Sequence, residues 1–160
     1  MLKALCQSIC LALPLAASAQ PASVVFLNPG LSSETFWSSY SRFMQAAAQE
    51  LGMTLRVQYT ERNPDQALTQ ARAILTAPQR PDYLVVVNEQ YVAPEILRLS
   101  RGTGVKLLLV NNGLTASQER SILAQPDKFA APLGTLTSND EQAGFEMLHQ
   151  MVARLPRGHG

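Results

Sequence analysis

The sequence predicts an α/β protein built on a doubly wound parallel sheet with helices on both faces. Three observations carry the prediction: short aliphatic or β-branched runs recur along the chain, helical periodicity fills the segments between them, and Asn, Pro and Gly punctuate the joins. The 160 residues are 46% hydrophobic and 16% charged, which suits one compact core and excludes a disordered, collagen-like or coiled-coil chain. Thirteen Lys and Arg against twelve Asp and Glu leave a net charge of +1. No excess positive field is available to hold a nucleic acid or an anionic membrane.

Residues 1–19 read as a secretory signal peptide. Lys3 supplies the positive end, Ala4 to Ala16 is mostly apolar, and Ala17-Ser18-Ala19 offers small residues for cleavage after Ala19. The apolar stretch is too short and too interrupted by Gln7, Ser8 and Pro14 to span a bilayer, and no later run approaches the ~20 apolar residues required. The alternatives are weaker: a buried first helix, or a lipoprotein signal, which would want a small residue where Ile9 precedes Cys10. Cleavage removes Lys3 and both cysteines, Cys6 and Cys10, leaving twelve charges of each sign and no thiol. Disulfides, thiolate catalysis and cysteine metal sites are then excluded together. The mature chain is expected in the periplasm, without membrane insertion.

Val24 to Leu27 gives the first strand. Phe36, Tyr40, Phe43, Met44, Ala47 and Leu51 follow at helical spacing as a core-facing stripe, and Gly52 ends that helix. Thr54 to Tyr59 is the second strand. Asn63 caps the next helix, with Pro64 in its first turn and Gln66 completing a capping box, and Ala67, Leu68, Ala71, Ile74 and Leu75 form its buried face. Tyr83 to Val87 is the third strand. Pro94 opens a helix carrying Ile96, Leu97 and Ser100, and Gly102-Thr103-Gly104 turns the chain into the fourth strand, Val105 to Val110. The pattern lapses into a long connection from Gly113 to Pro132. A fifth strand, Leu133 to Thr137, precedes a last helix capped by Asn139 with Phe145, Leu148, Val152 and Leu155 on one face.

In an open α/β sheet, ligands bind beyond the carboxyl ends of the strands. Four of the five strands end in an asparagine-bearing tripeptide: Asn28-Pro29-Gly30, Asn88-Glu89-Gln90, Asn111-Asn112-Gly113 and Ser138-Asn139-Asp140. A carboxamide both donates and accepts, which matches the hydroxyls of a neutral polar ligand; a phosphate would call for Lys, Arg or a glycine nest. Asparagine also serves turns and caps locally, and that reading is preferred for any one of them taken alone. Phe36 and Trp37 lie near the first helix start, where an aromatic face can stack on a sugar ring. Phe36 continues the core stripe and Trp37 departs from it, so Trp37 is the better pocket candidate.

No catalytic residues are assigned. The two histidines, His149 and His159, fall on a late helix surface and in the tail, so a Ser-His-Asp arrangement lacks a base. G-x-S-x-G, P-loop and H-E-x-x-H motifs are missing from the sequence, Gly102-x-Gly104 precedes a strand, and no G-x-G-x-x-G follows the first strand. Glu34, Asp65, Glu89 and Asp140 near helix starts read as caps and dipole partners rather than a metal site. No cofactor is expected.

Phe36-Trp37 after the first strand, Asn63-Pro64 after the second and Ser138-Asn139-Asp140-x-x-Ala143-Gly144 near the end, in that order, resemble a type I periplasmic binding protein. The likeness is to the ribose-binding branch of the sugar-binding components of ABC transporters, Rossmann-like in fold, and it runs from Ala22 to Arg154. It implies a hinged, two-lobed clamp that delivers a small polar ligand such as a sugar to an ABC permease. The alternative is a sensory relative that presents its ligand to a membrane receptor or histidine kinase; an exported α/β enzyme is a third reading, disfavoured by the scarcity of His and Cys. The resemblance maps ring stacking onto Phe36 and Trp37 and polar contacts onto Glu34, Asn88, Glu89, Asn111, Asn112 and Asn139. Asn111-Asn112 stands where ribose-type binders usually carry Asp-Arg, replacing a charge-assisted grip by a neutral one. Ser138, Asn139 and Asp140 fall at the first crossing between lobes, where they would act as hinge. By the same comparison residues 20–137 form the amino-terminal lobe and 138–160 the crossover and first helix of an incomplete second lobe.

Overall fold

Strand β1, Ser23–Asn28, lies inside the sheet, pairing with β2 (Thr54–Tyr59) on one edge and β3 (Tyr83–Val86) on the other. With β4 (Lys106–Val110) and β5 (Gly134–Leu136), the computed structural model, which describes residues 20–154, forms a five-stranded parallel sheet in the order β2-β1-β3-β4-β5. The α/β prediction holds. The proposed signal peptide with Ala19, Cys6 and Cys10, and the tail with Leu155 and His159, lie outside the described residues.

Parallel strands covered on both faces read as near-continuous apolar runs, because each successive side chain enters a different core. Val25 and Leu27 join Leu84, Val86, Leu107 and Leu109 on one face, under helices α2 (Pro64–Thr76) and α3 (Ala93–Ser100). Phe26 joins Val85, Val87 and Val110 on the other, under α1 (Thr35–Glu50).

The buried stripe of α1 differs from the expected one. Trp37, Ser41 and Ala48 are buried, whereas Phe36, Phe43 and Leu51 are exposed. Tyr40 and Met44 of the expected stripe do pack on this core, and the buried face turns from Phe36 and Phe43 toward Trp37 and Ser41, whose hydroxyl can enter the core because it accepts a hydrogen bond from the Asn28 amide at 2.8 Å. Gly52 ends α1 with φ +64°, the left-handed conformation that glycine adopts without a Cβ clash.

Asn63 caps α2 as expected, its side-chain oxygen accepting from the backbone N–H groups of Asp65 and Gln66. Gln66 does not complete a capping box; its amide turns to the Tyr59 carbonyl at 3.4 Å. The connection expected to be irregular contains a helix, α4 (Ala116–Leu123), where Thr115 and Gln118 form the reciprocal box instead. Partly buried Leu114, Ile122 and Phe129 from this region pack on the α2–α3 core. Helix α5 (Asp140–Ala153) is capped by Asn139, whose side chain accepts from Gln142 N–H at 3.1 Å. Its expected face, Phe145, Leu148 and Val152, is exposed. The sequence periodicity is present, but no described element covers it.

Candidate functional site

In a sheet of order 2-1-3-4-5, the chain reverses its direction of winding between β1 and β3, and a crevice opens there beyond the carboxyl ends. Here that end carries a small open cleft, floored by Leu27, Ala67, Val86, Val92 and Ile96 and rimmed by Pro29, Thr60, Arg62, Glu89 and Gln90. The loops after β1, β2 and β3 converge on it. Thr60 N–H donates to the Asn28 carbonyl and Arg62 N–H to the Pro29 carbonyl, both at 2.8 Å, so the second loop is bonded along the first.

Arg62 links the three loops through its side chain. Its Nη2 and Nε donate to one oxygen of Glu34 at 2.7 and 3.1 Å, and its Nη1 donates to Glu89 at 3.1 Å. The second Glu34 oxygen accepts from Leu31 N–H at 2.7 Å. The Arg62 guanidinium, with the Leu31 N–H behind it, holds the Glu34 carboxyl below its ordinary range. Gln90 donates its amide to the Arg62 carbonyl at 2.9 Å, closing the cluster from the β3 side.

The backbone is strained at the same edge. Glu61, Arg62, Gln90, Tyr91 and Asn111 are the non-glycine residues with positive φ among the described residues, and each lies in a loop after β2, β3 or β4. Left-handed conformations of this kind cost about 1–2 kcal/mol per residue, and such strain gathers at ligand sites.

The expected site residues divide. Glu34, Glu89, Asn111 and Asn112 come together: Asn111 donates to Asn112 at 3.2 Å, and Asn112 makes a long 3.5 Å contact to the Glu89 oxygen that Arg62 leaves free. Phe36 is 59% exposed at the start of α1, its ring edge-on to Trp37 with centroids 4.9 Å apart. Trp37 is 4% exposed and packs among Phe26, Val85 and Val110. The expectation is corrected by exchange: Trp37 is core and Phe36 offers the open face. Asn28 and Asn88 are also buried and fully engaged. The Asn88 amide donates to the Gly113 carbonyl and to Gln118, and its oxygen accepts from Ala93 N–H, so it ties β3 to α3 and α4 instead of facing a ligand. Asn139 spends its oxygen on the α5 cap, while Ser138 donates its hydroxyl to Asp140.

Arg62 and Tyr91 are not among the expected site residues, and Gln90 is expected there only as the third member of the Asn88-Glu89-Gln90 tripeptide. A signal existed: β2 is the one strand without an asparagine tripeptide at its end, and Glu61-Arg62 occupies that place. Among the described residues no group of three or more His, Cys, Asp or Glu side chains is placed to hold a metal ion, and no helix is long and apolar enough to cross a membrane.

A doubly wound lobe of this strand order, with amides and carboxylates gathered at its carboxyl edge, has the architecture of a periplasmic-binding-protein lobe. A solved structure described as a periplasmic sugar-binding protein from Pseudomonas fluorescens matches it with a TM-score of 0.66 and 50% sequence identity, over 87% of this chain and 40% of that one. The resemblance to type I periplasmic binding proteins thus holds in fold and sequence, and the chain spans 40% of the length of the protein it matches. No protein-family profile and no curated protein matches the chain.

Proposed function

We propose that this chain is the amino-terminal part of a periplasmic solute-binding protein that captures a sugar or a similarly hydroxylated small molecule for an ABC permease. The observation that carries the reading is the 50% identity to a periplasmic sugar-binding protein across 87% of the chain. The site's chemistry agrees with it. Asn111 and Asn112 offer donors and acceptors, Glu89 has an acceptor oxygen to spare, and Phe36 presents an open ring at the same edge. The role is capture without bond-making or bond-breaking. Residues 1–19 act as the export signal with cleavage after Ala19, residues 20–137 as the lobe, and Ser138 to Asp140 as the hinge leading into the segment 138–160.

A ligand that binds only the folded state raises the melting temperature by mass action. The test is a thermal-shift series of the chain, and of a longer gene product where the reading frame continues, against neutral pentoses, hexoses and polyols. A concentration-dependent rise with one of them supports the proposal. A well-folded longer protein that responds to none would overturn it.

A further inference from the structure

The Glu34–Arg62–Glu89 cluster raises a question of ligand charge. Two carboxylates within reach of one guanidinium make a position that attracts a cation, and here the protein fills it from its own chain. The arginine is not buried away from the cleft: its side chain is 45% exposed, against 28% for Glu34 and 26% for Glu89, and it stands at the cleft's margin. Its place is built, since Glu61 and Arg62 both take left-handed backbone to bring it there, and Pro29 and Gln90 each hold its main chain.

Resting on the sugar-binding reading of the same site, we propose that Arg62 is a specificity-determining residue that restricts the ligand to uncharged polyhydroxylated molecules. The guanidinium occupies the position that the ammonium of an amino sugar would take between Glu34 and Glu89. One negative charge remains in excess and opposes a sugar acid or sugar phosphate. Both Glu34 oxygens are engaged, so the acceptor left to a ligand hydroxyl is the Glu89 oxygen that has only the 3.5 Å contact to Asn112.

The test uses matched trios that differ only in charge: glucose, glucosamine and glucuronate, and galactose, galactosamine and galacturonate. Affinities are measured by thermal shift and calorimetry on the wild type, Arg62→Met, Arg62→Lys and Glu89→Gln, each checked by far-UV circular dichroism. The wild type is expected to prefer the neutral member of a trio. Arg62→Met exposes both carboxylates and is expected to move the preference toward the amino sugar by about tenfold, the size of one charge-assisted hydrogen bond; Arg62→Lys keeps the wild-type order. Glu89→Gln keeps the side chain's size while removing its charge from the Arg62 pair, and is expected to weaken the neutral sugar and gain nothing for the amino sugar. An unchanged order in Arg62→Met, or a wild type that prefers the amino sugar, would sink the specificity role and leave sugar binding standing. A wild type that responds to neither trio nor to any neutral sugar removes the sugar-binding reading first, and this inference with it.

Discussion

The side-chain amide of Asn28 donates to the main-chain carbonyl of Trp37 at 3.0 Å, so the last residue of β1 holds the first turn of α1. The same nitrogen reaches Ser41 at 2.8 Å, and the Asn28 oxygen accepts from Gly30 N–H at 2.9 Å. One buried side chain thereby fixes strand, loop and helix. Alanine at Asn28 takes away the partner of the Ser41 hydroxyl and of the Gly30 N–H in the core, and is expected to cost about 2–3 kcal/mol. Urea unfolding measures it; a loss under 1 kcal/mol would mean that water replaces the amide.

Phe36 and Trp37 are adjacent in sequence and opposite in consequence. Trp37→Ala empties a packed position and is expected to cost about 3–5 kcal/mol, read by urea unfolding. Phe36→Ala removes an exposed ring and is expected to change stability by under about 1 kcal/mol while weakening sugar binding. If Phe36→Ala binds like the wild type, ring stacking is not part of the site.

Gly30 lies against the Trp37 ring so closely that a Cβ there would overlap it. Gly30→Ala is expected to displace the indole, lowering stability by about 1–3 kcal/mol and altering the near-UV circular dichroism of the single tryptophan. An unchanged spectrum would place the ring elsewhere.

Asn112→Ala is expected to weaken sugar binding by about 1 kcal/mol with little loss of stability, since its side chain makes only exposed contacts, accepting from Asn111 at 3.2 Å and reaching Glu89 at 3.5 Å. Asn111 needs a different substitution, because its φ of +63° suits glycine and penalises alanine. Asn111→Gly keeps the turn and removes the amide. Calorimetric affinities of the two variants equal to wild type would remove both residues from the site.

Acid should lower stability through three carboxylates, of which Glu34 is at the site. Glu34 is held below its ordinary range by Arg62 and the Leu31 N–H, as Asp82 is by the Ser23 N–H and hydroxyl and Glu95 by Arg98. The folded state binds these protons less readily than the unfolded chain, so their stabilisation is complete above the unfolded carboxyl values, about 4, and is lost as pH falls through the lowered folded values. Melting temperature should fall as pH drops below about 4.5, and Glu34→Gln should shrink that slope. A slope identical to wild type would mean that the Arg62 pairing adds nothing to folding.

Strands β1, β3 and β4 were legible because both faces of the sheet are covered there, which makes each an apolar run regardless of which core a side chain enters. Helix α1 was legible as a helix but not in its orientation. Ser41 counts as polar in any pattern, and only Asn28, thirteen residues back, makes it a core residue. Helix α4 escaped because none of its residues is fully buried, leaving the Thr115–Gln118 box as its only local sign. At the site, Glu89 and the 111–112 pair could be placed from strand ends alone, and Glu34 only through the family resemblance. Arg62 could not: its partners lie 28 and 27 residues away, and no spacing rule joins loops that meet only when the sheet closes.

The strand order also dictates how the chain must be made. Val24 pairs with Leu55 on one side and with Tyr83 on the other, so the first strand synthesised waits longest for its second neighbour. A nascent chain that has not reached residue 83 can pair β1 with β2 but leaves the opposite edge of Ser23–Asn28 bare, and long-range parallel pairing closes slowly. That bare apolar edge is a template for another chain. Refolding yield is therefore expected to fall with protein concentration even where the finished sheet is stable.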